Sequence, residues 1–176
     1  MTVEKKAGGG VIRLIQGDIT DMEVESFVYD IMEDAKLGTG YGGAITARAG
    51  KSVQAELDAI GRCPKGEAVI TKAGKMKVKN IIHVNGPKFH EEDQEGKLKR
   101  AIKAALDLAE KHHLTQIAFP PIGTGFYQVD LNLCARVTVE TVSEHLKDHS
   151  GLKEVLLVAL DTREFSPFES WVGKGG

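Results

Sequence analysis

Cysteine is scarce in this chain, two in 176 residues, aromatic side chains make up only 6%, and neither sign of charge prevails. Cys63 and Cys134 are too few and too far apart for a disulfide framework or a zinc cluster. That usage fits a reducing compartment, and a cytoplasmic location is expected. Lys and Arg number 23 against 25 Asp and Glu, a net charge of -2, so no bulk field gathers nucleic acid or an acidic membrane. No stretch approaches the ~20 apolar residues needed to cross a bilayer, and Met1 to Lys6 lacks the apolar run of a signal peptide. There is no internal repeat, and no cofactor or metal is called for.

What is present is enough apolar residue, 41%, for one well-buried core. A chain of this length buries roughly 70% of its unfolded surface. Residues 11–172 read as a single domain and a monomer is expected. Residues 1–10 carry Glu4-Lys5-Lys6 and Ala7-Gly8-Gly9-Gly10, too little apolar surface to offset ordering entropy, and are expected to fray, as are residues 173–176.

Between these ends, β-branched runs alternate with stretches of helical spacing. Strands are predicted at Val11 to Ile15, Val24 to Ile31, Gly66 to Thr71, Val78 to Val84, Ile117 to Phe119 and Val155 to Leu160. Two short helices are predicted within 41–61, and further helices within Glu91 to His113, from Leu131 to Leu146 and from Thr162 to Val172. Nearly continuous apolar strands alternating with helices predict an α/β fold. Its expected form is a three-layer α/β/α sandwich with a mixed, largely parallel central sheet. Ligands in such sheets sit at the carboxyl ends of the strands.

Two glycine-rich loops fall at those ends, Gly38-Thr39-Gly40-Tyr41-Gly42-Gly43 and Ile122-Gly123-Thr124-Gly125-Phe126-Tyr127. Each precedes a helix-like run. Such a loop leaves backbone N–H groups free for a polyanion, with the positive end of a helix behind them, so two loops predict a clamp on one diphosphate. Gly38, Gly40 and Gly43 also satisfy G-x-G-x-x-G, which raises a nicotinamide dinucleotide oxidoreductase as an alternative. Against it, Met32 to Leu37 separate the strand from the first glycine, and Asp58, at the distance of the ribose-binding acid, falls in a helical stretch instead of ending a strand. No Gly-Lys-Ser or Gly-Lys-Thr stands where a P-loop requires it.

Four segments taken together, Gln16-Gly17-Asp18-Ile19-Thr20, Lys36-Leu37-Gly38-Thr39-Gly40, Ile82-His83-Val84-Asn85-Gly86-Pro87 and Ile117-Ala118-Phe119-Pro120-Pro121-Ile122-Gly123-Thr124-Gly125, resemble the macro domain family, in the family's order and across nearly the whole chain. The resemblance implies binding of ADP-ribose, free or protein-linked. It implies that Asp18 accepts from the adenine amino group and that the Ile19 N–H meets the ring. Gly38, Thr39, Gly40 and Tyr41 would cradle one side of the pyrophosphate, with Ile122, Gly123, Thr124, Gly125 and Phe126 on the other. Phe165 would stack on adenine, and Asn85 and Tyr127 would border the distal ribose. A β-branched residue at Gly125 is expected to crowd the phosphate and to resist a positive φ. His83 is read as a core histidine.

Departures from the family's pattern bear on chemistry. Where hydrolytic members carry Asn-Ala-Ala-Asn, this chain has Tyr29-Asp30-Ile31-Met32, and the aspartate after the first glycine loop corresponds to Gly42. The first loop is similar to the terminal ADP-ribose protein glycohydrolase branch, but that branch's lysine and aspartate correspond to Thr46 or Ala47 and to Tyr127. Lys51 lies about one helical turn, ~5 Å, away. A reader of ADP-ribose with weak or absent hydrolysis is therefore expected. The alternative is an ADP-ribosyl hydrolase or O-acetyl-ADP-ribose deacetylase, with Asp30, Glu33, Asp34 or Asp130 as the candidate base.

Overall fold

The computed structural model describes residues 2–38, 41–125, 127–148 and 150–174, apart from the side chain of Tyr41. Seven strands form one sheet: β1 (Thr2–Ala7), β2 (Gly10–Gln16), β3 (Ser26–Asp30), β4 (Ala68–Lys72), β5 (Asn80–Val84), β6 (Gln116–Phe119) and β7 (Glu154–Ala159). Their order is β1-β2-β7-β6-β3-β5-β4. The inner neighbours pair parallel, while β1 on β2 and β4 on β5 are antiparallel. Five helices complete the fold: α1 (Tyr41–Ala49), α2 (Ser52–Ile60), α3 (Gln94–Lys111), α4 (Leu131–Lys147) and α5 (Thr162–Gly173).

Strand alternation divides the core between two faces. Val28, Ile82, Ile117, Phe119, Val155 and Leu157 pack with α3, α4 and α5, whereas Phe27, Ile81, Ala118, Leu156 and Val158 pack with α1 and α2. The sheet is thus covered on both sides, as the near-continuous apolar strands predict.

Residues 2–7, expected to fray, instead form edge strand β1, with Thr2 opposite Ile15 and Ala7 opposite Gly10. Gly8 and Gly9 make a two-residue hairpin turn, with Gly8 at φ 56°. The ladder on β2 and the Glu4–Arg13 ion pair at 2.8 Å hold the strand, so side-chain hydrophobicity is a poor guide there. At the other end, α5 runs through Gly173.

His83 on β5 is fully buried, its Nε2 3.0 Å from the Thr71 hydroxyl. Burial pushes its pKa down from 6.5 to about 3. The unfolded imidazole protonates near pH 6.5 while the native one stays neutral, so the unfolded state binds more protons between pH ~6.5 and ~3 and stability falls as pH drops through that window. The expected slope approaches ~1.4 kcal/mol per pH unit in its lower part. Urea midpoints measured from pH 7 to 4 should decline, and the decline should be shallower in His83→Gln.

Candidate functional site

The carboxyl ends of β2, β7, β6 and β3 open into one cavity of about 650 Å³. Its wall takes Ile19 from the 3-10 turn after β2 and Glu164 from α5, which follows β7. The segment after β6 adds Pro120 through Gly125 and Tyr127, and the segment from β3 onward adds Tyr29 to Met32, Asp34, Lys36 and Gly38. The two glycine loops, far apart in sequence, therefore meet at one site.

Each loop is anchored from behind. Lys36 pairs with Asp58 at 2.6 Å, and the Leu37 N–H donates to Gln54 Oε1 at 2.8 Å, tying the first loop to α2. Asp58 is thus a helical residue holding a loop, which removes the ribose-binding acid of the dinucleotide alternative. In the second loop the Val129 N–H donates to Gly123 O at 3.0 Å and the Gln128 N–H to Gly125 O at 3.1 Å. Among the described residues nothing accepts from the N–H groups of Gly123, Thr124 and Gly125. Consecutive amides without an acceptor on a cavity wall are what an anion-binding nest requires. At the N-terminus of α4, Asp130 caps the helix through the Leu133 N–H at 2.9 Å. Asp130 does not line the cavity and is set aside as a base. Glu33 is likewise engaged by Arg62 at 2.6 Å on the surface.

The positive φ expected at Gly125 belongs to Gly123, at 77°. A Cβ on Gly123 would lie 2.8 Å from Val129 Cγ2, whereas one on Gly125 or Gly38 would meet nothing within 4 Å among the described residues. Gly123 shapes the turn, and Gly125 and Gly38 keep space open.

Ile19, Gly38, Ile122, Gly123, Thr124, Gly125 and Tyr127 stand on the cavity wall. Thr39, Gly40 and Phe126 lie outside the described residues, as does the side chain of Tyr41, whose backbone begins α1. Asp18 lies beside Ile19 and caps the 3-10 turn, its Oδ1 accepting from the Thr20 N–H at 2.9 Å and the Thr20 hydroxyl at 2.7 Å. Its Oδ2 lies 3.6 Å from Arg48.

Two of the expected residues are not on the wall. Phe165 is 1% exposed and packs in the core under α5, so it is absent from the wall. Its neighbour Glu164 takes that place, because one residue turns a helix by about 100° and carries the side chain to another face. Asn85 is also buried, its Nδ2 donating to Cys63 O at 2.8 Å, and it fastens the end of β5 to the segment after α2. Sequence reasoning missed Tyr29, Lys36 and Glu164 as wall residues. Alternation along β3 and the end-of-strand rule together were the available signal for Tyr29.

The macro domain family model matches residues 32–138. The chain belongs to the macro domain family. This macro domain is 36% identical over 163 residues to macro domain-containing protein TTE0995 of Caldanaerobacter subterraneus, covering 89% of this chain and 93% of that protein. It is 38% identical over 159 residues to a Salmonella gallinarum protein named O-acetyl-ADP-ribose deacetylase, covering 85% and 87%. Among solved structures it resembles the Trypanosoma brucei macrodomain in complex with ADP-ribose, with a TM-score of 0.86 and 26% identity over 92% of this chain and 69% of that one.

Within the macro domain, Tyr29 and Gly42 form a matched pair. A Cβ on Gly42 would stand 2.6 Å from the Tyr29 hydroxyl. Burial raises the Tyr29 pKa, partly offset by the backbone amides of Gly38 and Gly42. The phenol thus fills the space beside the first loop in which a side chain at position 42 would have to lie.

Proposed function

We propose that this macro domain binds ADP-ribose, free or attached to a protein, along the ends of β2, β7, β6 and β3. The observation that carries the reading is the convergence of Gly38 with the unpaired Gly123, Thr124 and Gly125 amides on one cavity. With Ile19 on the wall and Asp18 next to it at the end of β2, the reading puts the adenine end there and the diphosphate between the loops. The ADP-ribose complex of the Trypanosoma brucei macrodomain supports this ligand. Every residue lining this cavity comes from one chain, so a monomer suffices to build the site.

Calorimetric titration with ADP-ribose, NAD and AMP tests the proposal. ADP-ribose should bind most tightly, and tighter NAD binding would return the dinucleotide oxidoreductase. Asp18→Ala should weaken ADP-ribose by about 1.5–3 kcal/mol through loss of a charge-assisted hydrogen bond, and should lower stability by about 1 kcal/mol through loss of the cap. Asp18→Asn separates the two effects, since its amide oxygen keeps the cap but the charge is gone.

Hydrolysis is the second reading, favoured by the relative named O-acetyl-ADP-ribose deacetylase. Tyr29, Asp30 and Met32 in place of the hydrolytic pattern, with Gly42 closed off by the Tyr29 phenol, favour binding with weak or absent turnover. Incubation with O-acetyl-ADP-ribose and with mono-ADP-ribosylated protein separates the readings. Turnover abolished by replacing Asp30 or Asp34, the two acidic candidates on the wall, would overturn the preference for a reader.

A further inference from the structure

The two edge strands of the sheet differ in how they are protected. β1 carries Glu4, Lys5 and Lys6, charges of the kind that keep an edge from pairing. β4 reads Ala68-Val69-Ile70-Thr71-Lys72, with no charge before its last residue, and Ala68, Val69 and Ile70 are half-buried.

In an antiparallel pair, alternate residues turn N–H and C=O toward the partner strand and those between turn both away. Where β4 begins, the Asn85 N–H donates to Glu67 O at 3.1 Å and the Gly66 N–H donates to Asn85 O at 2.9 Å. Glu67 therefore faces β5, followed by Val69 and Thr71, while Ala68, Ile70 and Lys72 turn away from it. The Lys72 N–H is already engaged, donating to Glu56 Oε1 of α2 at 3.2 Å. Among the described residues nothing pairs with the outward N–H and C=O of Ala68 and Ile70. The open edge is thus two residues with Val69 between them, closed at one end by the Gly66 bond to Asn85 and at the other by Glu56.

That window is symmetric about Val69. An antiparallel strand with its own Val69 opposite this one brings Ala68 against Ile70 on each side of the axis, and the hydrogen bonds formed use free groups only. An axis at Ile70 would call on the Lys72 N–H, and an axis at Ala68 on Gly66, both engaged. The facing side chains are apolar, Val69 with Val69 on the α1 and α2 side and Ala68 with Ile70 on the side of α3. A second copy of this chain is the occupant that matches, because its closed ends fall opposite the closed ends here. We propose that β4 pairs with β4 of a second copy about a twofold axis at Val69, joining two sheets into one isologous dimer. The ADP-ribose cavity opens at the ends of β2, β7, β6 and β3, takes no residue from β4, and stays accessible in that dimer.

Sedimentation equilibrium over roughly 5 to 500 μM tests the proposal, the upper end being where a small interface must show itself. The mass should rise from 19.0 kDa toward twice that value, and a mass of 19.0 kDa throughout overturns the proposal. Ala68→Pro removes one outward donor from each copy at a position where an edge strand tolerates proline, and should raise the dimer Kd by about 10-fold or more. Val69→Cys sets two thiols on the axis, where non-hydrogen-bonded neighbours lie about 4.5 Å apart between Cα atoms, so mild oxidation should yield a disulfide-linked dimer. Cys63 and Cys134 are buried and do not compete. Lys6→Cys, on the β1 edge, should stay monomeric under the same oxidation. Cooperative thermal unfolding reports the fold of each variant, which keeps the outcome separate from the ADP-ribose reading. A folded Ala68→Pro that dimerises like the unaltered protein, or a Val69→Cys that crosslinks no faster than Lys6→Cys, also overturns the proposal.

Discussion

Gly125→Val is expected to abolish ADP-ribose binding, raising Kd by about 100-fold or more, while shifting the melting temperature by no more than about 2 °C. The two halves of this expectation come from the same observation. Among the described residues a Cβ at Gly125 meets nothing within 4 Å, and its φ lies outside the left-handed region, so neither feature opposes valine in the fold. Gly125 nevertheless lines the cavity, and branched methyl groups there occupy volume that a diphosphate must enter to reach the loop amides. Gly123→Val is the contrasting change. It forces a β-branched residue to φ 77° and drives its Cβ to 2.8 Å from Val129 Cγ2, so the fold itself should suffer. The left-handed backbone costs about 1–2 kcal/mol and the overpacking about 1–3 more. Calorimetry with ADP-ribose and thermal unfolding of both variants check the pair. Normal binding by a folded Gly125→Val would mean that the second loop does not hold the phosphates.

Phe165→Ala should lower stability by about 3–5 kcal/mol, a fall in melting temperature of roughly 6–20 °C for a chain of this size. The ring is 1% exposed and packs in the cluster that joins α5 to the sheet, so its removal leaves a cavity between layers. Phe165→Leu then distinguishes a core ring from one that stacks on adenine. Leucine retains much of the buried volume, so ADP-ribose affinity should stay within about twofold while the melting temperature falls modestly. A tenfold loss of affinity with a near-normal melting temperature would assign the ring to the ligand after all.

The positions of Phe165 and Tyr29 depend on contacts that a local pattern does not carry. Phe165 and Glu164 are adjacent in sequence, and the family pattern points to the aromatic of the pair, but the helix start set by the Asp161 cap, through the Glu164 N–H at 3.0 Å, decides which of them faces the cavity. Tyr29 went unseen because its importance depends on Gly42, thirteen positions on, which is separated from it by a loop whose path no local pattern gives. The family resemblance implies Asn85 as a ribose contact, yet its amide turns to Cys63 O, a partner visible only once the segment after α2 is folded against β5. β1 failed for a different reason. Its stability lies in main-chain pairing across a Gly8-Gly9 turn, and charged side chains on an edge strand hide that pairing from any measure based on hydrophobicity.

The sequence by itself determined the layers, the strand and helix assignments inside the domain and the presence of two glycine-rich loops at strand ends. These follow from side-chain periodicity and from glycine placement, both of which act over a few residues. Only the tertiary structure decided that the loops share one cavity, that Gly125 keeps space while Gly123 makes the turn, and that Ala68 and Ile70 stand on an open sheet edge. Those facts depend on strand order and on contacts between segments tens of residues apart, where the energy of a pair exists only after the chain has closed around it.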